Sequence, residues 1–142
     1  MDIRKFTEAD REACLAIFDS NSPAWFHPSE LHGLVARLDA PGDYFVAEQD
    51  GRIIGAGGFD GGRIVWLMVD AGFHGKGVGR FLMMFLLREL ARGGFSTVEL
   101  GTTPAVVPFY EKFGFRATQT FPDGWAPGFD RVEMIKKMDV CR

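Results

Sequence analysis

The sequence predicts an α/β (α+β) fold: a mixed, mostly antiparallel sheet of about seven strands with one parallel pair, flanked by about four helices. Three observations carry that prediction. Apolar runs at 44–49, 52–59 and 64–69 follow one another through Asp50-Gly51 and Gly61-Gly62, which makes three antiparallel strands in series. A long helical stretch over 78–92 then leads to another strand-like run, so strand, helix and strand form a parallel crossover unit. Two further runs close the chain. The 142 residues are one domain's worth, so 1–142 is read as a single domain.

The elements follow in order. Asp2 to Phe6 reads as a short first strand. Thr7 followed by Asp10 is an N-cap with an acid in the first turn, and Ala13, Leu15, Ala16 and Ile17 carry a helix to about Ser20. Asn21 to Pro28 is a loop containing Trp25 and Phe26. Pro28 suits the first turn of a second helix, with Leu31, Leu34, Val35 and Leu38 at helical spacing and Pro41-Gly42 as its stop. In the helix over 78–92 apolar residues cover most of the circumference and leave a polar stripe at Arg80, Arg88 and Arg92, the pattern of a helix pressed onto a sheet. Gly93-Gly94 ends it. Thr97 to Leu100 is a strand, and Pro104 to Phe113 a short helix stopped by Gly114. Phe115 to Phe121 and Arg131 to Met138 are closing strands, separated by a loop over 123–130.

Composition narrows the function. Lys plus Arg number 16 and Asp plus Glu 19, a net charge of −3, which argues against a nucleic-acid partner. The longest apolar run, Phe81 to Leu87, is far short of the roughly 20 residues of a membrane span, which argues against a membrane partner. Cys14 and Cys141 form no ligand pair, so no metal site is expected, and nothing suggests a disulfide framework. No apolar segment follows the charged N-terminus. These readings point to a soluble protein of the cytoplasm.

The informative segment joins the third strand of the series to the long helix: Val69-Asp70-Ala71-Gly72-Phe73-His74-Gly75-Lys76-Gly77-Val78-Gly79-Arg80. Glycines at 75, 77 and 79 allow close approach of a ligand to the backbone, and several N–H groups then converge at a helix N-terminus. That is an anion site, reinforced by His74, Lys76 and Arg80. A P-loop would need Ser or Thr after Lys76, and a dinucleotide fingerprint would need glycine at position 80; both patterns fail.

His74-Gly75-Lys76-Gly77-Val78-Gly79 resembles the acetyl-CoA pyrophosphate motif, Arg/Gln-x-x-Gly-x-Gly/Ala, of the GNAT superfamily of N-acetyltransferases. Phe109-Tyr110-Glu111-Lys112-Phe113-Gly114-Phe115 is similar to a second family segment, and the element order matches across nearly the whole chain. His74 stands where the family usually has Arg or Gln, and Thr103 where many members carry Asn. The resemblance implies transfer of an acetyl group from acetyl-CoA, as co-substrate, to a primary amine of a small molecule or peptide, by direct attack in a ternary complex. It also implies that the parallel strands splay and hold the pantetheine arm between them, as an added strand.

Carried onto this chain, the family pattern gives cofactor contacts at Leu67, Met68, Val69, His74, Gly75, Lys76, Gly77, Val78, Gly79, Arg80, Thr103 and Phe109. An N–H near Leu67 or Met68 would bind the oxyanion, an interaction worth roughly 3–4 kcal/mol. Tyr110 falls on the general-acid position. The position of the family's strand carboxylate is taken by Arg63, which leaves Glu99, Asp60, Glu48 or a water chain as the base, with Glu99 preferred. Acceptor contacts are expected from Phe26, His27, Trp125 and Phe129. Family members are often homodimers. The competing reading is a non-catalytic acyl-CoA sensor that keeps the loop and has lost the chemistry.

Overall fold

The computed structural model describes residues 1–139, so Cys141 lies outside the described residues. Seven strands form one sheet: β1 (Asp2–Lys5), β2 (Asp43–Gln49), β3 (Arg52–Asp60), β4 (Arg63–Val69), β5 (Thr97–Thr102), β6 (Arg116–Ala126) and β7 (Phe129–Lys137). Their order across the sheet is β1-β2-β3-β4-β5-β7-β6, and every neighbouring pair is antiparallel except β4 and β5. Helices α1 (Arg11–Asn21) and α2 (Leu31–Asp39) cover one face; α3 (Val78–Arg92) and α4 (Val107–Glu111) cover the other.

Strand alternation sets the two layers. On β2, Tyr44 and Val46 pack with Cys14, Ile17 and Phe18 of α1 and Leu34 and Leu38 of α2. Phe45, between them, packs with Met83, Leu86 and Leu90 of α3. The turn between β2 and β3 has Asp50 at φ 52° and Gly51 at φ 75°, the left-handed pair of a two-residue hairpin.

Several boundaries differ from expectation: the helices expected from Pro28 and Pro104 also begin with 3₁₀ turns, and two further differences matter more. The first helix opens with a 3₁₀ turn, Glu8–Asp10, and α1 proper starts at Arg11. Asp10 holds that turn: its Oδ2 accepts from the Thr7 backbone N–H at 2.8 Å, and its two carboxylate oxygens take the Arg4 guanidinium at 2.8 and 2.9 Å. The second difference is larger. Residues 123–130 are not a free loop, because β6 continues to Ala126 and turns back at once into β7. A bulge at Asp123 (φ 52°) interrupts the ladder, and side chains replace its bonds. Asp130 Oδ1 accepts from the Asp123 N–H (2.9 Å), and Asp123 Oδ1 from the Gly128 N–H (2.7 Å).

Helix α3 differs in its outer face. Besides the expected arginines, Phe81 and Met84 are exposed. Its inner stripe, Val78, Leu82, Met83, Leu86 and Leu90, is buried as the pattern required.

Candidate active site

Two strand irregularities open the sheet at its centre. The parallel pair β4–β5 is in register at a single position, Arg63 opposite Glu99, and the strands separate beyond it. On the other side of β4, register slips between Ala56 and Gly58, so Trp66 and Leu67 bulge opposite Gly57. Trp66 takes φ 48°, a costly conformation for a bulky residue. Its carbonyl accepts from Tyr44 Oη at 2.6 Å, which anchors the bulge to the buried core.

The gap between the splayed strands leads into a cavity of about 620 Å³. Its floor is Leu67, Met68 and Val69 on one strand and Leu100, Gly101 and Thr102 on the other. One end reaches the glycine loop. Gly75 and Gly77 sit at φ 75° and 82°, and a Cβ at either would meet nothing within 4 Å, so the backbone there faces open space. Gly77 caps α3 without any side-chain hydrogen bond, so first-turn N–H groups of a 15-residue helix are left as donors. Gly79 is close-packed: a Cβ there would meet Phe109 at 3.2 Å. His74 is bonded through Nε2 to the Val69 carbonyl at 3.0 Å, and Trp25 packs edge-on against its ring. Arg80 lines this end.

The middle of the cavity is walled by Thr103, Phe109 and Tyr110. Tyr110 is 7% exposed, its hydroxyl has no hydrogen-bond partner among the described residues, and burial pushes its pKa well above the ordinary phenol value. The phenol is therefore neutral at physiological pH and available as a donor.

The far end is built from side chains: Phe26, Glu30, Arg63, Trp125 and Arg131. Trp125 donates from Nε1 to the Thr102 carbonyl at 3.0 Å. Arg63 forms a two-bond pair with Glu133 (2.8 and 3.0 Å) that holds the Glu133 carboxyl below its usual range; Glu99 stands 3.9 Å from the same guanidinium.

Most of the residues singled out from the sequence meet here. Leu67, Met68, Val69, His74, Gly75, Gly77, Val78, Gly79, Arg80, Thr103, Phe109, Tyr110, Phe26 and Trp125 all line the cavity. Lys76 projects outside, over the Phe73 ring. His27 and Phe129 are not among the lining residues and meet edge to face, with centroids 5.6 Å apart. None of the three expected base candidates is among the lining residues. Glu99, on β5, approaches Arg63 of β4 but is exposed, Asp60 pairs with Arg37 and Glu48 with Arg4.

Three contributors carry weak sequence signals. Glu30 looks like an ordinary helix-start acid. Asn21 looks like a helix end; it is 3% exposed and donates to the carbonyls of Ile17 and Val69, both at 2.8 Å, tying α1 to the end of β4. Arg131 reads as a strand-end charge.

An acetyltransferase (GNAT) domain model matches residues 40–117, more than half of the chain. The chain belongs to the GNAT acetyltransferase family. An N-acetyltransferase of Methanocaldococcus jannaschii is 29% identical over 96% of this chain and 92% of that protein. A mycothiol acetyltransferase of Propionibacterium freudenreichii is 36% identical over 72% of this chain, which spans only 32% of that longer protein. Among solved structures, the ribosomal-protein-S18-alanine N-acetyltransferase of Escherichia coli superposes with a TM-score of 0.79 over 99% of this chain and 96% of that one, at 19% identity. A Salmonella typhimurium protein solved with its cofactor acetyl-CoA superposes at 0.78 over 100% and 96%, at 21% identity. The GNAT fold is thus shown along the chain's length, and the enzyme class is an acyltransferase.

Proposed function

We propose that this GNAT protein transfers an acetyl group from acetyl-CoA to a primary amine of a small molecule or peptide, by direct attack within a ternary complex. The observation that carries this reading is the continuity of the cavity. A loop rich in free N–H groups, a notch between two strands, a buried tyrosine and an aromatic pocket follow one another along a single path. The residues present fit the co-substrate. Gly75 and Gly77 leave room for a diphosphate against the backbone, and the splayed β4–β5 gap gives an extended arm two strand edges to pair with. Lys76 adds positive charge from outside the wall.

In the transfer, the neutral amine nitrogen attacks the thioester carbonyl carbon. A C–N bond forms, the C–S bond breaks and the sulfur leaves as thiolate. The bulge at Trp66 and Leu67 supplies backbone N–H groups for the oxyanion. Tyr110 donates a hydrogen bond to the departing sulfur. Its raised pKa makes full proton transfer from it to a thiolate, whose conjugate acid lies near ~8.5, more uphill than for an ordinary phenol. The nitrogen's proton leaves for solvent or a carboxylate. Glu99 could take it only through water or past Arg63.

The test is a panel of amines with acetyl-CoA, read by free-thiol release, beside calorimetry with coenzyme A. Turnover above acetyl-CoA hydrolysis with at least one amine supports the enzyme. CoA binding without turnover of any amine favours a sensor, and no CoA binding overturns both readings.

A further inference from the structure

Among the described residues that line the cavity, Glu30 is the sole carboxylate. It is half-buried. Its Oε2 accepts from the His27 backbone N–H at 2.8 Å, and its other oxygen has no partner among the described residues. Burial is the largest influence on its pKa and raises it, so the carboxylate is under-compensated where it sits. A cation arriving in the cavity would correct that deficit.

Arg131 is the complementary feature. Its guanidinium lies 4.3 Å from the Phe121 ring centroid and 6.0 Å from that of Trp125, so its plane is fixed by aromatics. Its nearest carboxylate, Glu133, gives both oxygens to Arg63 and approaches Arg131 no closer than 3.5 Å. No hydrogen bond from the terminal nitrogens of Arg131 is formed among the described residues, while Nε is buried and turned away from any ligand. Arg131 thus keeps donor capacity that the fold does not use. The contact of His27 with Phe129 brings the Glu30 turn beside β7, yet Glu30 and Arg131 do not pair with each other. The cavity that separates them has aromatic walls, and it must also house the pantetheine arm, so the space left suits a compact molecule.

Resting on the N-acetyltransferase reading, we propose that the acceptor is a small amino acid-like zwitterion with an apolar side chain. Its ammonium group meets Glu30 and gives up a proton to solvent before the nitrogen attacks, its carboxylate meets Arg131, and its side chain lies among Phe26 and Trp125. An ammonium-to-carboxylate contact at one end and a guanidinium-to-carboxylate contact at the other orient the nitrogen and reject molecules that lack either charge.

The test uses the whole chain with phenylalanine, leucine and methionine. Each is run beside its decarboxylated amine and its carboxamide, with thiol release as the readout. In the wild type the free amino acid should exceed the amine and the amide in kcat/KM by tenfold or more. Arg131→Gln should remove that preference, chiefly through KM. Glu30→Gln should raise the acceptor KM at least tenfold for amino acid and amine alike. CoA affinity by calorimetry should stay within twofold in both variants. Arg131→Lys, which keeps the charge but not the fork, should retain part of the preference and covers the case in which Arg131→Gln fails to fold. Equal turnover of amino acid and amine by the wild type, turnover confined to other amines, or an unchanged KM in Glu30→Gln would overturn the zwitterion proposal and leave the acetyltransferase reading standing. CoA binding with no turnover of any amine would overturn both.

Discussion

At the glycine-loop end of the cavity the groups on offer are backbone N–H donors from one continuous segment, 75–80. At the aromatic end they are side chains brought from the α1–α2 connection, β4, β6 and β7. The two ends tolerate change differently. Backbone donors at a helix start work through geometry, so a change of φ is what destroys them, and side-chain chemistry nearby matters less. The aromatic end depends on which groups are present and on charge pairs such as Arg63–Glu133. A universal co-substrate suits the first kind of site. A chosen acceptor suits the second.

The largest effect should come from bending the backbone end. Gly77 holds φ 82° at the cap of α3, and a β-branched residue there is strained by about 1–2 kcal/mol while its side chain projects into the space left for phosphate. Gly77→Val should therefore weaken coenzyme A binding by about 100-fold, equivalent to about 3 kcal/mol, with circular dichroism unchanged. Calorimetry checks this, and retained binding would mean that the phosphates lie elsewhere. Next in size is Tyr110→Phe, which removes one donor from the middle of the cavity. It should lower kcat by roughly 10- to 100-fold with the acetyl-CoA KM within twofold. Unchanged kcat in steady-state assays would remove Tyr110 from the chemistry.

The contrast between the ends also explains what could be read from the sequence. Turn chemistry and strand alternation announce themselves locally, so Asp50-Gly51, the three-strand series and α3 were legible, as was the glycine loop through its spacing. The aromatic end was legible only in part. Phe26 and Trp125 stood out as aromatics in turn-rich segments. Glu30 and Arg131 did not, because their meaning depends on a cavity formed by distant parts of the chain. Residues 123–130 read as a loop because two glycines and a proline fall within eight residues; the bracing by the Asp123 and Asp130 side chains, which accompanies the strand pair, depends on groups brought together by the turn.

Asn21 lies on the seam between the two ends and sharpens the comparison. Its amide holds the Val69 carbonyl just where β4 gives way to the glycine loop. Asn21→Ala leaves that part-buried carbonyl with one bond fewer and should cost about 1 kcal/mol of stability, seen as a lowered Tm. Because Val69 also receives His74, the acetyl-CoA KM should rise several-fold while the ratio of rates between acceptors stays constant. A shift in acceptor preference would show that the two ends are not independent.

The smallest expected effect concerns acid. Glu133 has its pKa lowered, first by the hydrogen bonds from Arg63 and then by that charge, against the opposing influence of burial. A carboxylate with a depressed folded pKa adds stability above its unfolded pKa, and that stability is lost as pH falls through the folded value. The pair is partly exposed, so its contribution should be about 1 kcal/mol or less. Glu133→Gln should lower Tm slightly at neutral pH, and that difference should vanish below the ordinary carboxylate range. Coenzyme A binding should follow the same course in both proteins, since no backbone donor of the loop is touched. If Glu133→Gln weakened CoA binding as much as acceptor turnover, the division of labour between backbone and side chains would fail at its most exposed point.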